Sequence, residues 1–140
     1  MSNETVELMR RAYLALGQAY ETGDLGPVIE EFCHPDVVFC NESVVSGYPE
    51  RGEWRGREGL LRFGAAQMDA FKQMWIQPRE FIDAGDRVVV PLELGGHGRH
   101  TDIEIKLSVT HLVTVRDGKV SRIDVYERID EALAAAGSPQ

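Results

Sequence analysis

Val6, Met9, Tyr13, Leu16 and Tyr20 recur three or four residues apart, which aligns them on one face of a helix over residues 4–21. Ser2 or Asn3 can cap it, and Glu4 and Glu7 suit its positive end. Gly23 breaks the pattern. A short helix restarts with Pro27 in its first turn and ends before Pro35. VVFCN then predicts a short strand, and the Gly-, Pro- and charge-rich SVVSGYPERGEWRG a loop. Helical spacing returns over 57–73, with Leu60, Leu61, Phe63, Gly64, Met68 and Phe71 on or near one side. From Trp75 onward the chain predicts a meander of strands. Its clearest member alternates Ile103, Ile105, Leu107, Val109, Val113 and Val115 with Glu104, Lys106, Ser108, Thr110 and Thr114. That period of two makes one dry face and one mostly polar face. Asp117–Gly118 is a hairpin signal before the last strand. Helices followed by antiparallel strands predict an α+β fold in one domain, residues 1–135, with a frayed tail at 136–140.

Charge narrows the partners. Twenty-three acidic residues against 15 basic ones leave a net charge of −8, which excludes the basic cluster that nucleic acid needs. No apolar run approaches the roughly 20 residues that cross a bilayer. The polar N-terminal segment has no apolar signal core, and Cys33 and Cys40 make no disulfide framework, so a cytoplasmic location is expected.

The first helix running into ETGDL, Phe32 before HPDVVF, WRGREGLLRF, DAGDRVVV and HLVTVRDGKVSRIDVYE together resemble the nuclear transport factor 2-like superfamily, and within it the SnoaL-like proteins. The resemblance covers nearly the whole chain and implies a cone-shaped fold, a curved mixed or antiparallel sheet packed on three N-terminal helices. It does not choose among the superfamily's isomerases, cyclases, hydrolases, dehydratases and non-catalytic binding modules. Matching to ketosteroid isomerase places Asn41 at the Asp base, Leu16 at the oxyanion-binding Tyr, and His111 at the protonated Asp. All three depart, which argues against steroid isomerisation by that mechanism.

Among chemically able groups, His111 is the titratable side chain within the apolar row, where desolvation would shift its proton affinity. It reads equally as a core histidine satisfied by a neighbour. Its partner depends on the turn. A two-residue Asp117–Gly118 turn sets His111 opposite Asp124 as an acid/base pair. A three-residue loop sets it opposite Ile123, brings Val125 and Glu127 to its face, and turns Asp124 away. The second register keeps Ile123 and Val125 with the apolar row and is favoured on that ground. Asn41 could hydrogen-bond a ligand or cap a turn. Tyr13 and Tyr20 could each point a hydroxyl into a cavity or serve as core. Trp54 and Tyr48 could form an aromatic lid, while Phe63, Met68, Phe71 and Trp75 suit the wall, with Val109 and Ile123 on the sheet.

Cys33, His34 and Cys40, and separately His97 and His100, lie on different elements and do not make a zinc set. Phosphate-cradle and nucleophile-elbow motifs are absent. The expectation is a cofactor-independent enzyme of the cyclase, isomerase or hydrolyase type on an apolar metabolite with a carbonyl or ring oxygen. A non-catalytic ligand-binding or assembly module is the alternative. The weakly charged outward face around Pro91, Thr110, Leu112 and Thr114, beside Val89, predicts a homodimer through the sheet.

Overall fold

In a computed structural model, which describes residues 2–41, 52–101 and 103–137, the amphipathic first segment forms α1 (Ser2–Thr22). Gly23 ends it at a positive φ of 81°. Helix α2 (Gly26–Phe32) follows with its proline in the first turn, then β1 (Cys33–Asn41). Expected caps at Ser2 and Asn3, and Tyr48, lie outside the described side chains.

The segment read as a long loop carries a short strand, β2 (Gly52–Arg55), so Trp54 is a strand residue. Helix α3 (Gly56–Ala70) stops at Phe71, which instead opens β3 (Phe71–Pro78). Then come β4 (Ile82–Ala84), β5 (Arg87–Gly98), β6 (Glu104–Arg116), β7 (Lys119–Tyr126) and α4 (Ile129–Ala136). His97 belongs to β5 rather than a glycine loop, and His100 lies in the turn beyond it.

The sheet runs β2-β1-β7-β6-β5-β3, with β4 also on β5. Only β1 and β7 pair in parallel among these, so the fold is α+β with a mixed sheet: the helices and the antiparallel strands follow the pattern read from the chain, and the parallel pair agrees with what the family resemblance implied. One face packs under α1, α2 and α3 around Met9, Val37, Val88, Val90, Leu92 and Val113. The other is partly covered by α4, whose Ala132 buries Val89 and Leu112.

Arginines finish three helices. Arg57 donates to the carbonyls of Glu30 and Cys33 after α2, Arg99 to those of Met68 and Phe71 after α3, and Arg87 to those of Ala135 and Ala136 in α4. A cation at the carbonyl end both fills unsatisfied acceptors and opposes the helix dipole.

The β6–β7 hairpin departs from both registers drawn from sequence. Asp117 and Gly118 have φ of 54° and 73°, the two-residue turn, and Arg116 pairs with Lys119. An extra residue in β7 then shifts the ladder between Thr114 and Val115, where Ser121 Oγ donates to the Thr114 carbonyl. His111 consequently faces Val125, not Asp124 or Ile123.

Candidate functional site

A cavity of about 120 Å³ lies between the helices and the concave face of the sheet. From α1, Met9, Tyr13, Leu16 and Tyr20 reach it because they share the apolar stripe. Strands add Phe39, Ile76, Leu94, Val113 and Ile123, and α3 adds Leu60, Phe63 and Gln67. Alternation along β6 sends His111 to the same side, where it too lines the cavity. Its pairing neighbours across the sheet are Val90 and Val125, both buried.

Tyr13 Oη and His111 Nδ1 share a hydrogen bond of 2.8 Å, joining residues 98 apart in the chain. Phe39 meets the imidazole edge-on, with ring centroids 6.3 Å apart, and Phe81 meets Tyr13 at 5.9 Å. Burial lowers the His111 pKa from 6.5 to about 4, because charging the ring would strand a cation among apolar groups. Burial raises the Tyr13 hydroxyl far above the ordinary phenol value, with Tyr20 and Cys33 adding to the shift. The pair is therefore neutral at pH 7. It can donate to one ligand oxygen and accept from another group, and a charge created on it would be strongly felt.

A second polar pair occupies the same cavity. Tyr20 donates to Gln67 Oε1 at 3.4 Å, and Gln67 is only 6% exposed. Gln67 was missed in the sequence. The signal available was its place four residues after Phe63 and three after Gly64, which puts an amide on the apolar stripe of α3.

Other expected site residues lie elsewhere. Asp124 pairs with Leu112 on the opposite face and is held by Arg122 Nε at 3.0 and 3.1 Å. Glu127 is exposed after the end of β7. Neither carboxylate joins His111, because the bulge carries Ile123 and Val125 onto its face while Asp124 alternates outward. Asn41 is 1% exposed at the end of β1, on the same alternating side as Phe39, but it does not line the cavity. Trp54 stacks edge-on against Phe63, 5.5 Å between centroids, as part of the wall behind the cavity. Trp75 pairs with Gly95 and covers it on the outer face, leaving Ile76 to line the cavity. Val109 is buried core beneath the pocket, and Met68 packs against that core. Cys33 lines the cavity, with burial pushing its thiol up to about 11. Among the described residues, no three His, Cys, Asp or Glu side chains gather as metal ligands, and no helix is long and apolar enough to cross a membrane.

The profile of the SnoaL-like domain matches residues 11–123, from within α1 to within β7, and takes in the cavity-lining groups other than Met9. The chain belongs to the SnoaL-like family. Solved structures similar to this SnoaL-like protein include TerC, crystallised with polyporic acid, at 25% identity and a TM-score of 0.73, with 96% of this chain and 99% of that one covered. A Jannaschia protein named as a SnoaL-like polyketide cyclase is 17% identical at a TM-score of 0.70, covering 96% and 94%. A Catenulispora acidiphila protein with a ketosteroid isomerase-like fold, in complex with trimethylamine, is 18% identical at 0.68, covering 91% and 93%. At these last two identities the likeness concerns the fold alone. No curated protein matches the chain by sequence.

Proposed function

We propose that this SnoaL-like protein binds a small apolar molecule carrying a carbonyl or hydroxyl oxygen and performs cofactor-independent proton transfer on it, with Tyr13 and His111 as the working pair. The observation that carries the reading is the 2.8 Å Tyr13–His111 bond at the wall of an otherwise apolar cavity. The volume suits a single-ring molecule, since a cavity of roughly 150 Å³ accepts benzene. TerC, taken with polyporic acid, lends the idea of an organic ligand in this fold.

In this mechanism the imidazole takes a proton from a carbon beside the carbonyl. The C–H electron pair moves into the enolate, and the Tyr13 hydroxyl holds the developing oxyanion. Where the enolate is conjugated with a C=C bond, returning the proton to the far carbon completes an isomerisation; attack of the enolate on an internal carbonyl, whose oxygen takes the proton back from the imidazolium, completes a cyclisation. A dry cavity disfavours imidazolium alone but supports it beside an enolate, because the two opposite charges arise together at low dielectric. The lowered His111 pKa matters here: the base is unprotonated throughout the neutral range.

The test is deuterium exchange at the carbons beside the carbonyl of cyclohexanone, followed by NMR in D2O. Wild type should accelerate exchange, His111→Gln should abolish the acceleration, and Tyr13→Phe should lower it by about 100-fold, the order of a lost oxyanion donor. Binding without exchange would favour the second reading, a non-catalytic ligand carrier. That reading draws on the lack of any carboxylate among the described residues that line the cavity. A homodimer through the sheet is part of this proposal, with α4 covering Val89 and Leu112 on that outward face.

A further inference from the structure

Gln67 is a buried amide with donors to spare. It lines the cavity at 6% exposure, and among the described residues its hydrogen bond is the one Oε1 accepts from Tyr20. With Oε1 toward the phenol, Nε2 is directed away from Tyr20, and no donor bond from it is found among the described residues. The amide nitrogen is not one of the fully enclosed atoms that lack a partner, so it borders open space that a ligand acceptor or water can enter. Gln67 also lines a neighbouring void of about 20 Å³ beside Leu94, Gly96 and Leu107, which leaves space by the amide for one oxygen-sized group.

Position makes this a second anchor rather than part of the first. Tyr13 and Tyr20 lie seven residues apart on α1, two turns or roughly 10 Å along the helix axis. Tyr13 leads to His111 on β6, while Tyr20 leads to Gln67 on α3. Between the two pairs, Leu16, Phe63 and Ile76 offer only apolar surface. Among the described residues, none lining the cavity carries a formal charge at pH 7. The end of a ligand that meets Gln67 is therefore neutral and accepts hydrogen bonds.

We infer that Gln67, oriented by Tyr20, is a specificity-determining residue of this cavity, and that its ligand carries two neutral oxygens at opposite ends of an apolar body. One oxygen meets the Tyr13–His111 pair and the other, a ketone or ether-like acceptor, meets the Gln67 amide. The inference rests on the proposed ligand-binding role and adds the class of molecule: a dioxygenated, uncharged small ring compound rather than a carboxylate or a monofunctional one.

Cyclohexanone and 1,4-cyclohexanedione test it, since they share a ring and differ in the second oxygen. Titrations followed by NMR chemical-shift changes would compare wild type with Gln67→Met, which keeps the side-chain length but removes the donors, and Tyr20→Phe, which releases the amide. One added buried hydrogen bond corresponds to about a tenfold gain in affinity. Wild type should prefer the dione about tenfold, Gln67→Met should bind the two ketones equally, and Tyr20→Phe should lose part of the preference. Equal binding of the two ketones by wild type, or a preference that survives in Gln67→Met, would overturn this inference and leave the cavity reading intact. Failure of wild type to bind either ketone would overturn both. Thermal melts of the variants establish that each is folded under the titration conditions.

Discussion

Replacing His111 with glutamine should flatten the acid dependence of this protein's stability. The ring is 6% exposed, bounded by Val90, Val125 and Phe39, and its pKa falls from 6.5 to about 4 on folding. Between those values the unfolded chain binds a proton that the folded chain refuses, so stability rises with pH through the window and falls as it is acidified. Integrating from pH 7 to pH 4.5 gives a loss of about 2 kcal/mol, and the full separation of the two values corresponds to about 3 kcal/mol. Glutamine can still hydrogen-bond Tyr13 but has no proton to gain. Tyr13 and Cys33 stay neutral across the window because burial moves both upward. Asp130, held low by Arg128, stabilises the fold above its ordinary value of 3.8 and loses that contribution only as the pH falls below it, equally in both proteins. Urea unfolding at pH 7 and 4.5, fitted with a common m-value, supplies the four free energies needed. The wild type should lose about 2 kcal/mol more than the variant between the two conditions. An identical loss in both would refute the claim that His111 is neutral because it is buried, and with it the dry-cavity chemistry.

Further outcomes follow from the same geometry. Tyr13→Phe removes the hydroxyl from His111 Nδ1 and should destabilise the fold by about 1–3 kcal/mol in urea titrations at pH 7, as a buried polar atom loses its partner. Asp124→Asn should leave cyclohexanone exchange unchanged, since that carboxylate faces Arg122 on the other side of the sheet; a collapse in exchange would mean the hairpin register is wrong. In Gly95→Ala the new Cβ would fall inside the Trp75 indole, so a loss of about 1–3 kcal/mol is expected by thermal melting. Gly64→Ala meets only the flexible tip of Leu25 and should cost less. Arg87→Ala removes donors from the Ala135 and Ala136 carbonyls, and hydrogen exchange over 129–136 should quicken while the β1 and β7 amides stay protected.

Local pattern determined much of this protein. The stripe Met9, Tyr13, Leu16 and Tyr20 and the alternation along β6 are repeats of 3.6 and 2, and each follows from backbone geometry alone, so α1, β6 and the dry side of His111 were legible in the sequence. Three matters were decided by packing between distant segments. The extra residue in β7 set Val125 opposite His111, because a bulge is chosen by how both faces pack and leaves no mark as clear as Asp117–Gly118. Helix α4 closed over Val89 and Leu112 on the outward face, which no local pattern announced. The partner of His111 came from α1, 98 residues away, and not from either carboxylate near it in the chain. Periodicity tells which way a side chain points, whereas what it meets depends on where the other elements come to rest.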